Sequence, residues 1–334
     1  MSDKKYDVYA IGNAVVDYVT ETHDSFLSQN GIEKSVMTLV DEERQMSVLA
    51  NIDSGVTKKE GGGSAANTIV ATSMLGGKCF YSCKVANDGD GHFFLKELSD
   101  IGIDTNLNKK ELEPGITGKV LIMVTPDSER TMNTFLGISA EFSTKELDQD
   151  ALLNSEYLFI EGYLVASESG RAAMKAAKKI AEENNIKVSL TFSDPSMVKY
   201  FRDEMEEIVG ASVDLLFCNQ EEALLFTQTN NLTDARAELR KVAKKFVITQ
   251  GKNGSLIFDG DTFINIEPYD VTAVDSNGAG DMFSGAFLYG VTNGHTLASA
   301  GKLASKASSE VVSKYGPRLT FSKLQEIKKD VFKR

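Results

Sequence analysis

The spacing of apolar positions changes several times along the chain. Tyr6-Asp-Val-Tyr-Ala-Ile-Gly12 is a short apolar run closed by glycine and predicts a buried strand, 169–184 is an Ala-rich helical stretch, and 186–192 returns to a strand pattern. The alternation continues with strands predicted at 213–218 and 246–249 and helices at 220–226 and 234–245. Strand and helix in turn specify an α/β fold, a mainly parallel sheet covered on both faces. Ligands in such sheets gather at the carboxyl ends of the strands. Gly12, 191–194, Asn219 and Gln250-Gly251 all follow predicted strands, so the candidate site residues converge on one sheet edge.

Two stretches break this pattern, 14–60 and 116–136. Each contains alternating, β-prone segments such as Lys119-Val-Leu-Ile-Met-Val-Thr125 and Thr131-Met-Asn-Thr-Phe-Leu136, which predict an antiparallel β lid. The polar segment 52–60 is the expected hinge crossing.

Composition narrows the function. With 334 residues, 42% of them apolar, the chain can bury the core of one large or two modest domains. Forty-eight acids against 36 bases leave a net charge of −12, which argues against general binding to nucleic acid or an anionic membrane and for a small-molecule substrate. No apolar run approaches the roughly 18–20 residues of a membrane span, and the first six residues lack the apolar core of a signal peptide, so the cytoplasm is the expected compartment. Cys79, Cys83 and Cys218 are too few for a disulfide framework and are expected as buried thiols. His23, His92 and His295 have no partner at a metal-ligand interval.

The strongest chemical signal is Asp275-Ser-Asn-Gly278-Ala-Gly280-Asp281, followed by an apolar helical stretch. The first amides of a helix have no internal partner and sit at its positive end, so Gly278, Ala279 and Gly280 offer backbone to an anion. A carboxylate at Asp281 would repel a phosphate unless a substrate hydroxyl lay between them and had to lose its proton. That combination points to phosphoryl transfer. A helix with ordinary N-terminal chemistry and glycines for close packing would carry the same residues.

This segment resembles the C-terminal signature of the ribokinase and adenosine kinase (PfkB-type carbohydrate kinase) family, with Ser276 where threonine is common. Gly61-Gly-Gly63-Ser64-Ala-Ala-Asn67 resembles that family's glycine-rich N-terminal signature, and the likeness runs from Tyr6 to Arg318. The resemblance implies a ribokinase-like three-layer sandwich. Its large α/β domain would comprise 1–13, 61–115 and 137–334, and 14–60 with 116–136 would form a discontinuous β lid over the acceptor. It further implies ATP and Mg2+ as cofactors, and Asp281 as base beside an anion hole built from the amides of 277–281. An ordinary aspartate pKa near 4 makes a weak base, which a loose transition state tolerates.

Other roles follow from the same resemblance. Asn13 and Asp17 match the first substrate loop, where an acid grips vicinal hydroxyls; Gly63, Ser64 and Asn67 would face the sugar. Asn219-Gln-Glu-Glu222 has the family's N-x-x-E form, with Asn219 on phosphate and Glu222 on magnesium through water; Asp194 is a second candidate for the ion's outer shell. Thr249, Gly251 and Gly254, in a turn between two strands, and Asn277 are candidates for the nucleotide. Arg130, in an exposed lid turn, resembles an arginine that adenosine kinases bring to the phosphates, and Asp275 matches a monovalent-cation position, which leaves K+ activation open.

For the acceptor, adenosine kinases of bacterial type look closest, and Val15, Val16, Leu39, Phe135 and Tyr163 are the expected purine slot, Tyr163 stacking on the base. Ser196 departs from the pattern, since some adenosine kinases carry an aromatic there. A sugar kinase of ribokinase, fructokinase or 2-keto-3-deoxygluconate type is the alternative, and a relative that binds without catalysis a further one. Gly61, Gly63 and Ala66 also satisfy a dinucleotide pattern, but a charged stretch precedes them where a buried strand is required, and no acid ends a following strand. The chain has no G-x-x-x-x-G-K-[ST] loop. The oligomeric expectation is a monomer or homodimer.

Overall fold

The computed structural model describes residues 4–52, 55–127 and 129–332. The strands, numbered in chain order, are β1 (Tyr6–Ile11), β2 (Val15–Glu21), β3 (Met37–Leu39), β4 (Lys58–Gly62), β5 (Cys79–Ser82), β6 (Asp104–Thr105), β7 (Thr117–Val124), β8 (Arg130–Gly137), β9 (Ser155–Glu161), β10 (Lys187–Thr191), β11 (Leu215–Asn219), β12 (Phe246–Thr249), β13 (Ser255–Phe258) and β14 (Phe263–Ile266). Among the described residues they form two sheets.

The larger sheet runs β14-β13-β12-β11-β10-β9-β1-β5-β6, parallel except for β13 and β14. Its strands are buried on both faces, as the continuous apolar runs require. In β1, Val8 and Ala10 pack with Ile69 and Phe287 on one face, while Tyr9 and Ile11 pack with Ala173 and Met174 on the other. From β1 the chain winds one way to β5 and β6, then returns to β9 on the opposite side of β1 and winds the other way. The crevice between the carboxyl ends of β1 and β9 is therefore the topological switch point, where such sheets bind ligands.

Two helices bring their first turns to this crevice. Ser64–Met74 and Ala279–Thr292 pack so closely that a Cβ on Gly285 would collide with the Thr68 carbonyl, and Thr72 Oγ1 donates to Gly285 O at 3.0 Å. One turn earlier, the same approach sets Asp281 against Ser64 and Asn67.

The smaller sheet, β3-β8-β7-β2-β4, covers the crevice. It is mixed where an antiparallel sheet was expected: β7–β8 and β2–β4 are antiparallel, but β2–β7 and β3–β8 are parallel. Helices Asp24–Gln29 and Glu42–Ala50 lie between β2 and β4 and pack Leu27 and Val48 on Leu121 and Met123 of β7. Val120 and Ile122, one residue out of phase, face the crevice instead. The expected hinge at 52–60 is partly strand, because Lys58 to Glu60 pair with β2; residues 53 and 54 of that segment lie outside the described residues. Lys58-Lys-Glu lacks an apolar signature because β4 is an edge strand carrying charge.

All three cysteines are free and buried. His295 stacks on Phe332 with ring centroids 3.6 Å apart, and Thr296 caps the following helix.

Candidate active site

The crevice is a cavity of about 600 Å³ between the two sheets. Asp281 lies on its floor, in the first turn of the helix Ala279–Thr292. Its Oδ1 accepts from Ser64 Oγ at 2.6 Å and its Oδ2 from Asn67 Nδ2 at 3.0 Å. Burial pushes its pKa up to about 6 against these donors and the Arg318 charge, so it is a stronger base than the sequence alone suggested.

Gly278, the residue before that helix, has φ +72° and packs directly on Pro317, so a side chain there would be strained and would clash. Within this turn the amide of Asn277 donates to Asp275 Oδ1 at 3.1 Å and that of Ala279 to Ser276 O at 3.2 Å. The amides of Gly278, Gly280 and Asp281 have no partner among the described residues. The bare set is narrower than the run 277–281, and it is the kind of cradle an anion fits.

Asp17 lines one end of the cavity and is 5% exposed. No protein group among the described residues hydrogen-bonds to its carboxylate, and burial followed by the Glu60 charge raises its pKa to about 7. Asn13 also lines the cavity, but its amide is engaged: Nδ2 donates to Glu161 Oε1 at 3.0 Å and Oδ1 accepts from Ser139 Oγ at 3.3 Å. Gly63 has φ +106°, and a Cβ there would collide with Asn13 O, so glycine brings the two loops together.

Sequence reasoning missed Glu161. It ends β9, is fully buried, and accepts from Asn13 N at 3.1 Å, Asn13 Nδ2, and Ala65 N at 2.7 Å. Burial raises its pKa to about 7. Its only signal in the sequence is a lone acid that closes the apolar run Tyr157-Leu-Phe-Ile160. Arg318, whose Nε donates to Asn67 Oδ1 at 2.8 Å, was missed because it stands far from every recognisable motif.

At the other end of the cavity lie Thr249, Gly251, Asn219, Glu222 and Asp194. Asn219 and Glu222 form a reciprocal helix cap: Glu222 N donates to Asn219 Oδ1 at 2.9 Å, and Asn219 N donates to Glu222 Oε2 at 2.9 Å. Asp194 caps the helix Pro195–Tyr200. Among the described residues no three Asp, Glu, His or Cys side chains converge as a metal cage. Burial, reinforced by the Asp194 charge, raises the pKa of Glu222 to about 7. Such a carboxylate pair fits an ion that takes most of its ligands from phosphate oxygens and water. Gly254 does not line the cavity; it closes the turn from β12 to β13, its carbonyl accepting from Gln250 N at 2.9 Å.

Arg130 is not an exposed turn residue. It opens β8 with its side chain 9% exposed and pairs through Nη2 with Asp275 Oδ2 at 2.9 Å; Ser128 of the preceding turn lies outside the described residues. Asp275 Oδ2 also accepts from Gly316 N at 2.8 Å. With both oxygens held by cationic or N–H donors, Asp275 does not fit a monovalent cation in this arrangement.

The expected purine slot is corrected by strand parity. Val15 and Leu39 line the cavity with Met37, Val120, Ile122, Met132 and Leu136, and Tyr163 lines it from the 3₁₀ turn Gly162–Ala166. Val16 points into the core of the larger domain and Phe135 lies on the face opposite Thr134 and Leu136.

The α/β sandwich, a buried carboxylate held beside a bare anion cradle and a covering sheet define a phosphotransferase with an alcohol group as acceptor. The chain belongs to the pfkB family of carbohydrate kinases, whose pattern it matches over residues 35–324. It is 33% identical, over 98% of this chain and 99% of the other, to adenosine kinase from Sinorhizobium meliloti, with a TM-score of 0.89. A probable sugar kinase from Rhizobium etli shares 32% identity and the same TM-score over 98% of each chain. 5-Dehydro-2-deoxygluconokinase of Listeria monocytogenes is 25% identical over 98% of this chain and 96% of its own. No helix among the described residues is long and apolar enough to cross a membrane.

Proposed function

We propose that the protein transfers the γ-phosphoryl group of ATP to a primary hydroxyl of a ribose-containing nucleoside, adenosine first among them, giving AMP and ADP. The observation that carries this is the single cavity shared by Asp281, the bare amides of Gly278, Gly280 and Asp281, and the unpartnered carboxylate of Asp17. Asp17 and Asn67 bind ribose hydroxyls. Asp281 takes the proton as the acceptor oxygen bonds to phosphorus and the bond to the ADP oxygen breaks. The amides receive the charge that develops on the transferred group. Thr249, Gly251 and Asn219 hold the nucleotide, and Glu222 with Asp194 would hold Mg2+ through water, the ion neutralising the triphosphate.

The smaller sheet acts as the lid, and Arg130, with Nε and Nη1 buried and unpartnered, gives its remaining donors to the phosphates. The aliphatic side chains of Met37, Leu39, Val120, Ile122, Met132 and Leu136 beside this polar floor support a nucleoside, because a free sugar has no flat apolar body to cover. The adenosine kinase relative supports the same choice. The reading carries the cytoplasm as compartment and a monomer or homodimer as assembly.

A sugar kinase is the second reading, favoured by Ser196, which offers no aromatic to a base, and by the sugar kinases among the relatives. ADP release with ATP and Mg2+ across adenosine, inosine, guanosine, ribose, fructose and 2-keto-3-deoxygluconate decides between them. Selective turnover of adenosine is expected; selective turnover of a free sugar would overturn the acceptor and keep the mechanism.

A further inference from the structure

We infer that Arg318 is the positioning residue of the base: it fixes which way round the Asn67 amide sits, and so which part of Asp281 is left for the acceptor hydroxyl. The inference rests on Asp281 being the base. Arg318 lies in the loop between helices Leu297–Val312 and Phe321–Phe332. Its Nε donates to Asn67 Oδ1 at 2.8 Å and its Nη1 to Glu97 Oε2 at 3.1 Å, and the same Glu97 oxygen accepts from Gly61 N at 2.8 Å.

A guanidinium can only donate, so it is satisfied by the oxygen of an amide and never by its nitrogen. Asn67 is thereby forced to turn its Nδ2 toward Asp281 Oδ2, 3.0 Å away. The two ends of an amide are nearly isosteric, and without Arg318 a reversed Asn67 would set its oxygen against the carboxylate. The loop is itself braced, since Gly316 N is bonded to Asp275 and Pro317 packs on Gly278. Arg318 Nη2 is buried without a partner. An unpaired buried donor is destabilising, so stability alone would not select this arrangement.

The charged and titratable groups acting with Asp281 come from β9 (Glu161), the turn after it (Tyr163), β5 (Tyr81) and this loop (Arg318). Arg318 is the cation among them and favours the ionised base.

The test is a double-mutant cycle of Arg318→Gln and Asn67→Ala, with kcat and KM measured from pH 5 to 9 on the acceptor the wild type turns over. Arg318→Gln is expected to lower kcat about 30-fold, leave the KM for ATP within about twofold, and move the acid limb of the profile to higher pH. In the Asn67→Ala background the same change should cost less than about threefold. Arg318→Lys keeps the charge but not the fork, so it should lose kcat while the acid limb stays at the wild-type position. If Arg318→Gln costs its full factor on top of Asn67→Ala, or the limb does not move, the inference is overturned. Should Arg318→Gln fail to fold by circular dichroism, the cycle is run with Arg318→Lys and the same coupling is required. Asp281→Asn separates the two claims: turnover retained there removes the base and this inference together, whereas turnover lost there with an additive cycle removes this inference alone.

Discussion

Arg130 Nη2 lies 2.9 Å from Asp275 Oδ2, and the pair joins β8 of the smaller sheet to the loop that opens the helix Ala279–Thr292. Both side chains are buried, so solvent does little to screen them. The contact couples the smaller sheet to the shape of the turn that opens this helix, because Asp275 Oδ1 also holds Asn277 N.

Arg130→Ala should therefore lower kcat about 100-fold and destabilise the protein by about 3 kcal/mol, since it leaves a buried carboxylate without its cation. Urea unfolding and initial rates check the two effects. Replacing K+ by choline at constant ionic strength should leave wild-type turnover flat, and a potassium response should emerge only in Arg130→Ala, where Asp275 is vacated.

The pH dependence of turnover has a defined sign. Asp281 acts in its ionised form and burial raises its pKa to about 6, so kcat should fall as pH drops through about 6. Glu161 stands close enough for its charge to interact with that of Asp281, and the observed limb belongs to the pair. A kcat profile at saturating substrates checks this; a limb near pH 4 would mean that an unperturbed carboxylate controls the rate.

Stability should run the opposite way. Asp17, Glu161 and Glu222 have folded pKa values of about 7, raised above the ordinary carboxylate range by burial, so between those limits the folded state binds more protons than the unfolded one. Stability is then highest where these groups are protonated and declines as pH rises through about 7. The Tm of the ligand-free protein should drop between about pH 5 and about 7 and level off above that, read by calorimetry at constant ionic strength. A Tm rising over that interval would place these carboxylates in a more polar setting.

The aliphatic slot carries the acceptor choice. Met132→Gln sets a polar amide where the base would lie and should raise the KM for adenosine about 10-fold, with the KM for ATP unchanged. A free sugar, which leaves the slot empty, should lose no more than about twofold on the same change.

Much of this was legible in the sequence, and the rest was hidden for physical reasons. The mainly parallel character of the larger sheet followed from apolar runs alternating with helices, and the resemblance to the family signatures already brought Asp17, Asn67 and Asp281 forward as a group. Period-2 parity could have removed Val16 and Phe135 from the slot and added Val120 and Ile122, since alternate residues of a strand face opposite ways. The parallel pairings β2–β7 and β3–β8 were not readable, because local spacing does not say which strand lies beside which. Glu161 and Arg318 act through partners 148 and 251 residues away, at separations that no short motif spans. The buried setting of Arg130 depends in the same way on Asp275.

Single-turnover ADP formation by Asp281→Asn beside wild type, with nucleotide binding measured in parallel, decides whether Asp281 is the base. A loss of about 10²–10⁴ in the chemical step with ATP affinity retained is expected; turnover within about tenfold of wild type would remove Asp281 from that role, whatever the acceptor proves to be.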